Sequence, residues 1–224
     1  MGDKLDRCEQ IEETTLSMVV QALTNYAREA ETIFREESDM PQDIAEDVTR
    51  EAIMLMGVSG LQERLYGKVD VKKAIYVFLP DPVPVALMLD AKAEKTNGDK
   101  TATIQMSQTS MRVRMTRSGK DVDHPGKLDM EIYKGGNRFY VVTIIAKYIY
   151  EKISSGGLRL CSIMTACIPN GKLQDRYNPS AQDGIWLAGR NAPTLGEDFR
   201  VRLSFEKLEN KASWRVNRIH IGDG

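Results

Sequence analysis

Three side chains carry the first chemical hint in this sequence. Asp90 and Lys92 close the apolar run 83–89, and Asp70 stands at the start of an earlier run, 74–79. Pro80-Asp81-Pro82 lies between the runs, a pattern that predicts two strands joined by a tight connection. Side chains two apart on a strand share a face about 7 Å from one another, so Asp90 and Lys92 would project together. A fold-back centred on residue 80 would bring Asp70 opposite the 90–92 end. Two carboxylates and an ammonium at an open sheet end suffice to hold a divalent cation and activate a water. The plainer reading is a solvated strand end. An acid two before a lysine also occurs at 70–72 and 209–211, so the tripeptide alone discriminates little. The long apolar strand and the upstream acid set the 90–92 copy apart.

Helices and further strands must position these groups. Apolar residues at three- and four-residue spacing, from Leu16 through Leu23, Tyr26 and Ala30 to Phe34, predict one amphipathic helix over about 9–37. Its stripe fits either a core or a dimer seam. Ser38 and Asp39 offer caps for a second helix over about 41–56, with Ile44, Val48, Ala52 and Leu55 on one side. Glu46 and Asp47 fall early in it, where a carboxylate favours a helix N-terminus. The polar segment 94–110 reads as a solvated helix face or a groove-reading element. Arg112, Arg114 and Arg117 would line one face of a strand. The β-branched and aromatic runs 139–150 and 158–168 predict buried strands, and 214–221 closes the chain.

Composition narrows the classes. The chain has 224 residues, 42% hydrophobic and 28% charged, with three cysteines lacking CxxC spacing and two distant histidines. A zinc site, a disulfide framework and a histidine-centred hydrolase are disfavoured. No run approaches the roughly 18 apolar residues of a membrane span, and the charged start carries no secretory signal, so a cytoplasmic location is expected. The net charge of −1 hides an asymmetry: residues 1–66 carry 15 acidic and 6 basic side chains, residues 67–224 carry 17 and 25. A body of net charge +8 suits a phosphate backbone; equally, the acidic part and the basic body would pair with each other.

The strings VVQALTNYAREAETIF, IAEDVT, GKVDVKKA, ALMLDAKA, LQDRYNP and RVRLSFEKLENKASWRV occur in the order found in the SfiI-type restriction endonucleases. The chain resembles this branch of the PD-(D/E)XK nuclease superfamily over about residues 14–221. The resemblance implies an α+β (mixed α/β) fold, a central mixed sheet flanked by helices. It implies one endonuclease domain over 1–224, with helices in 1–60 and the catalytic and DNA-recognition core in 61–224. It makes Asp70 and Asp90 the Mg²⁺-binding carboxylates, with Mn²⁺ able to substitute, and the Ala91 carbonyl a further ligand. Lys92 would orient or help deprotonate the attacking water. Glu46 becomes an additional metal-site contact, against the alternative of a plain helix-end acid.

The resemblance also implies double-stranded DNA as partner and an interrupted GC-rich palindrome as target, cut to leave 5′-phosphate ends. A cognate methyltransferase is expected in a prokaryotic host. Lys100, Arg190 and Arg200, then Arg176 and Asn178, are the candidate DNA contacts. A bidentate contact to guanine discriminates by about 1–3 kcal/mol, although many such side chains reach only phosphate. Val69 replaces the superfamily's proline, residue 190 is lysine in the family, and segment 94–110 is spaced differently, so the target is open. The chain stops soon after Trp214 where the family extends further; a homodimer is expected, with a tetramer as the alternative. The rival functions are a structure-selective repair or junction nuclease of the same fold and a non-enzymatic DNA-binding protein.

Overall fold

The run 139–150 contributes residues to both faces of a sheet, and both faces are covered. In the computed structural model Val141, Val142, Ile144, Ile145, Ala146, Tyr148 and Ile149 are all buried. Odd and even positions of a strand point to opposite faces, so this strand must be central. The model describes residues 2–37, 40–56, 62–65, 74–77, 84–154, 156–189 and 200–222. Three helices come first: α1 (Gly2–Asn25), α2 (Ala27–Glu36) and α3 (Pro41–Leu55). The strands that follow are β1 (Gln62–Leu65), β2 (Ala74–Val77), β3 (Val85–Lys95), β4 (Thr101–Ile104), β5 (Val113–Arg117), β6 (Lys120–His124), β7 (Glu131–Lys134), β8 (Asn137–Lys152) and β9 (Leu158–Ile168). A short α4 (Gln174–Tyr177), β10 (Trp186–Ala188), β11 (Val201–Ser204), α5 (Phe205–Lys211) and β12 (Val216–His220) complete the order.

The main sheet runs β1-β2-β3-β8-β9-β12, with β7 forming a hairpin on β8. Its one parallel pairing among the described residues is β3 with β8, which stay in register from Val85↔Tyr140 to Lys95↔Tyr150. Helices α1, α2 and α3 cover one face, against Val85, Leu87 and Ala91 of β3 and Tyr140, Ile144 and Tyr148 of β8. The other face meets a small sheet, β10-β11-β4, and the β5–β6 hairpin through Ile145, Ile149, Met164 and Ala166. The mixed α+β arrangement expected from the sequence is present.

Several local expectations are corrected. The first helix breaks at Tyr26 (ψ 4°), although backbone hydrogen bonds run through the break. The Tyr26 hydroxyl donates to Glu51 of α3 at 2.5 Å, and α2 then stacks Phe34 on Tyr148 at 5.5 Å. Helix α3 starts on Met40 without a side-chain cap, using Pro41 at its first turn; Ser38 and Asp39 lie outside the described residues. Leu55 is exposed, and Ile53 takes the core position. Of the polar segment 94–110, the first part stays largely exposed and residues 101–110 are folded in: Ser107 and Gln108 are buried, and Gln105 with Gln108 forms a reciprocal capping box. The arginine strand is neutralised across its hairpin, since Arg112 and Arg114 both meet Asp123.

The acidic N-terminal part does pair with the basic body. Glu12 and Arg215 are fully buried and lie 2.6 Å apart. Glu12 also accepts from the Asn170 backbone N–H (2.8 Å) and the Tyr140 hydroxyl (3.1 Å). Tyr177 and Trp214 lie against the Arg215 guanidinium, each 4.2 Å away. Burial pushes the Glu12 carboxyl up, and the Arg215 charge is the largest influence pulling against it. Removing one member of such a pair strands a buried charge, which costs about 3–5 kcal/mol. Urea unfolding of Glu12→Ala should show that loss. Removing the exposed Asp47 partner of Arg50 should cost under about 1 kcal/mol. A Glu12→Ala protein of native stability would contradict the assignment.

Candidate active site

Asp90 and Lys92 sit within β3, not at its end, because the strand continues to Lys95. They share the face away from the helices, as the two-residue period requires, since Val85, Leu87 and Ala91 pack toward the helices. Asp90 is 3% exposed and Lys92 is 22% exposed, with Lys92 Nζ 2.7 Å from Asp90 Oδ2. Strand β2 pairs with β3 only over Val85–Met88 among the described residues, in the register Ala74↔Met88 to Val77↔Val85. This register centres the fold-back on residue 81 rather than 80. Partners slide by two residues, which preserves the faces. Asp70, expected to complete the carboxylate pair, lies outside the described residues, as does Arg190.

Beyond Met88 the edge of β3 away from β8 receives the first turn of α3. Gln42 Nε2 donates to the Ala91 carbonyl (2.9 Å) and to Glu46 Oε1 (2.8 Å), and Gln42 Oε1 accepts from Ala93 N–H (3.0 Å). Glu46 is exposed, yet close enough to act on Lys92. Burial, followed by the like charge of Arg200, pushes Lys92 down to about 8, against the opposing pull of Glu46 and Glu94. The structure therefore gathers Glu46, Asp90, Ala91, Lys92 and Arg200 at one place.

Across β3–β8, Lys92 has Lys147 as its register partner. Lys147 is 1% exposed and bonds the Thr101 carbonyl (2.5 Å), the Gly98 carbonyl and the Glu94 carboxylate. This pins the turn that ends in Lys100, an exposed residue whose carbonyl accepts from Phe205 N–H at 3.1 Å. Arg200 precedes β11. A Cβ on Gly189 would sit 2.4 Å from the Arg200 carbonyl, so only glycine lets these backbones approach so closely. Arg176 and Asn178 are not brought into this group. Arg176 is ion-paired with Asp6 and Glu9 of α1. Asn178 is fully buried, and its amide bonds Arg114 N–H and the Arg114 and Ser180 carbonyls. Both hold the loop in place.

Gln42 and Lys147 escaped the sequence reading. The signals were a glutamine one helical turn before Glu46 and a lone lysine inside FYVVTIIAKYIY. Among the described residues no three carboxylate, histidine or cysteine side chains group together for a metal. The donor set that is present, carboxylate and carbonyl oxygens around a buried Asp90 held by one ammonium, is chemically suited to a hard divalent cation.

An acid and a lysine two apart on a central strand, beside a helix-borne carboxylate, on a mixed sheet of this order, are features of a nuclease with the restriction-endonuclease fold. The comparisons identify the branch. A family model described as "Type II restriction enzyme SfiI" matches residues 6–219. The chain is 31% identical to the Type II restriction enzyme SfiI of Streptomyces fimbriatus, over 96% of this chain and 85% of that one. It superposes on a crystal structure of tetrameric SfiI bound to cognate DNA with a TM-score of 0.84 at 28% identity, covering 98% and 87% of the two chains. The restriction endonuclease BglI, bound to its DNA recognition sequence, shares the fold at TM-score 0.79 and 16% identity, covering 99% of this chain and 93% of that one. This chain belongs to the SfiI family of type II restriction enzymes.

Lys92 provides a direct check on the electrostatics. Its affinity for a proton is depressed, so below pH 8 it bears a charge that burial opposes, and that penalty eases as pH rises above 8. The Nζ resonance of Lys92 in the metal-free protein should titrate near pH 8. Arg200→Gln should move the midpoint up and Glu46→Gln should move it down. A midpoint at the ordinary lysine value in all three proteins would contradict the site geometry.

Proposed function

We propose that this protein hydrolyses double-stranded DNA at a specific site in a Mg²⁺-dependent reaction centred on Asp90 and Lys92, with Mn²⁺ able to substitute. The observation that carries the reading is the buried Asp90 carboxylate 2.7 Å from Lys92, on the central strand of an SfiI-family chain. Asp90, the Ala91 carbonyl, Glu46 and Asp70 would hold the cation. When bound, the cation offsets charge on the scissile phosphate and makes a coordinated water more acidic.

The protein groups do the rest. Lys92 lies beside Asp90 and orients the attacking water or takes up its proton. The water oxygen bonds to phosphorus as the phosphorus–O3′ bond breaks, leaving a 5′-phosphate and a 3′-hydroxyl that gains a proton. Arg200 adds positive charge near Lys92. Its Nε is buried and has no hydrogen-bond partner among the described residues. Lys100, on its pinned turn, is the second favoured contact, and Arg190 the third by resemblance.

The target we propose is an interrupted, GC-rich palindrome, protected in the host by a cognate methyltransferase. Two-fold symmetry in such a site favours a homodimer; the tetrameric SfiI relative makes a pair of dimers the alternative. Digestion of mixed-sequence DNA, with sequencing of the ends, should give discrete fragments with a common palindromic border. Asp90→Ala should abolish cutting while salt-sensitive DNA binding persists, and Lys92→Ala should slow it at least about 100-fold. Cleavage at branched structures only, or full cutting by Asp90→Ala, would refute this function.

A further inference from the structure

The edge of β3 is finished in an unusual way. Successive residues of a strand turn their backbone groups to alternate edges, and Pro84 O accepts from Tyr140 N–H at 2.9 Å, so even-numbered residues of β3 face β8. Ala91 and Ala93, the odd-numbered neighbours of Lys92, face the other way. In a parallel pair, each residue donates to the carbonyl before its partner and accepts from the N–H after it. The Gln42 carboxamide does both, with Ala91 O at 2.9 Å and Ala93 N–H at 3.0 Å. It stands where the N–H and C=O of one residue of a parallel strand would stand opposite Lys92. Its remaining amide hydrogen goes to Glu46 Oε1 at 2.8 Å. Three of its four hydrogen-bonding capacities are used, and the amide orientation is fixed, because flipping it would set oxygen against oxygen twice.

We propose that Gln42 is a positioning residue for the reaction: its carboxamide locks the strand segment around Lys92 and ties the Glu46 carboxylate to that same segment. This rests on the site assigned above, because Gln42 acts through Lys92, Ala91 and Glu46. A helix that merely packed on the sheet would leave Ala91 and Ala93 to water and Glu46 free to rotate among its rotamers. The bridge sets both at once. It also bonds the carbonyl assigned to the cation, so the pull of one amide N–H helps fix where that oxygen points. Supporting contacts of this kind around metal-site groups are worth about 10–100-fold in affinity or activity.

Gln42 is exposed and sits in the first turn of α3, so Gln42→Ala should fold; Gln42→Met, of similar length and without polar atoms, guards against a cavity effect. Amide hydrogen exchange in the metal-free, DNA-free protein reads the bridge directly. Ala93 N–H should exchange about tenfold faster in either variant, the loss expected for one hydrogen bond. In cleavage assays with Mg²⁺, kcat should fall about 10–100-fold with KM for DNA unchanged. Gln42→Ala combined with Glu46→Ala should lose less than the product of the two single losses, because part of the Gln42 effect passes through the Glu46 carboxylate. Unchanged Ala93 exchange would overturn the bridge. Fully multiplicative losses, or an effect confined to KM, would overturn the positioning role. If Asp90→Ala cleaves normally, the site assignment fails on its own, and the exchange result still decides the bridge.

Discussion

Strand β3 has two edges with different partners, and the site depends on that difference. One edge runs in unbroken parallel register with β8 over eleven residues, largely buried as far as Ala91. The other is paired by β2 only as far as Met88 among the described residues. A central strand offers no room for a reacting phosphate, and a fully free edge would leave backbone groups unpaired. Among the described residues β3 is paired on both edges over Val85–Met88, and beyond that the Gln42 carboxamide meets the Ala91 and Ala93 backbone groups on the edge away from β8. The parallel ladder also sets Lys147 opposite Lys92, and the turn toward Lys100 hangs on Lys147 Nζ.

Electrostatics divides the molecule in a way the net charge conceals. Part of the acidic α1 is spent inside the protein, Glu12 on the buried Arg215 and Asp6 and Glu9 on Arg176. That pairing joins the helical part to the loop after β9 and to the segment before β12. It leaves Arg200 and Lys100 to the side of the sheet where Lys92 lies. Two like charges near one another, Lys92 and Arg200, are tolerated because Asp90, Glu46 and Glu94 surround them. A polyanion is the chemistry that such an arrangement favours.

Much of this was legible in the sequence because it depends on period and polarity. The runs at 139–150 and 158–168 are strands because their β-branched residues leave no polar face. Asp90 and Lys92 share a face because they are two apart. The helix break at Tyr26 was not legible: no glycine or proline marks it, and it follows from a tertiary bond to Glu51. The polar segment 94–110 reads as solvated by composition, yet Gln108 and Ser107 are buried. Arg176 and Asn178 have the chemistry to read DNA, but an ion pair to α1 and a set of backbone bonds claim them. Gln42 is an ordinary surface glutamine until the register of β3 shows which backbone groups it meets.

The assignment of Asp90, Ala91 and Lys92 as the catalytic centre is tested most directly by anomalous diffraction. The crystals would hold this protein with a duplex carrying the site mapped from its own digests, in the presence of Mn²⁺. The account predicts an anomalous peak ligated by the Asp90 carboxylate and the Ala91 carbonyl, with Lys92 Nζ beside the scissile phosphate. A peak bound elsewhere, with Asp90 held by Lys92 alone and the scissile phosphate remote from β3, would contradict it.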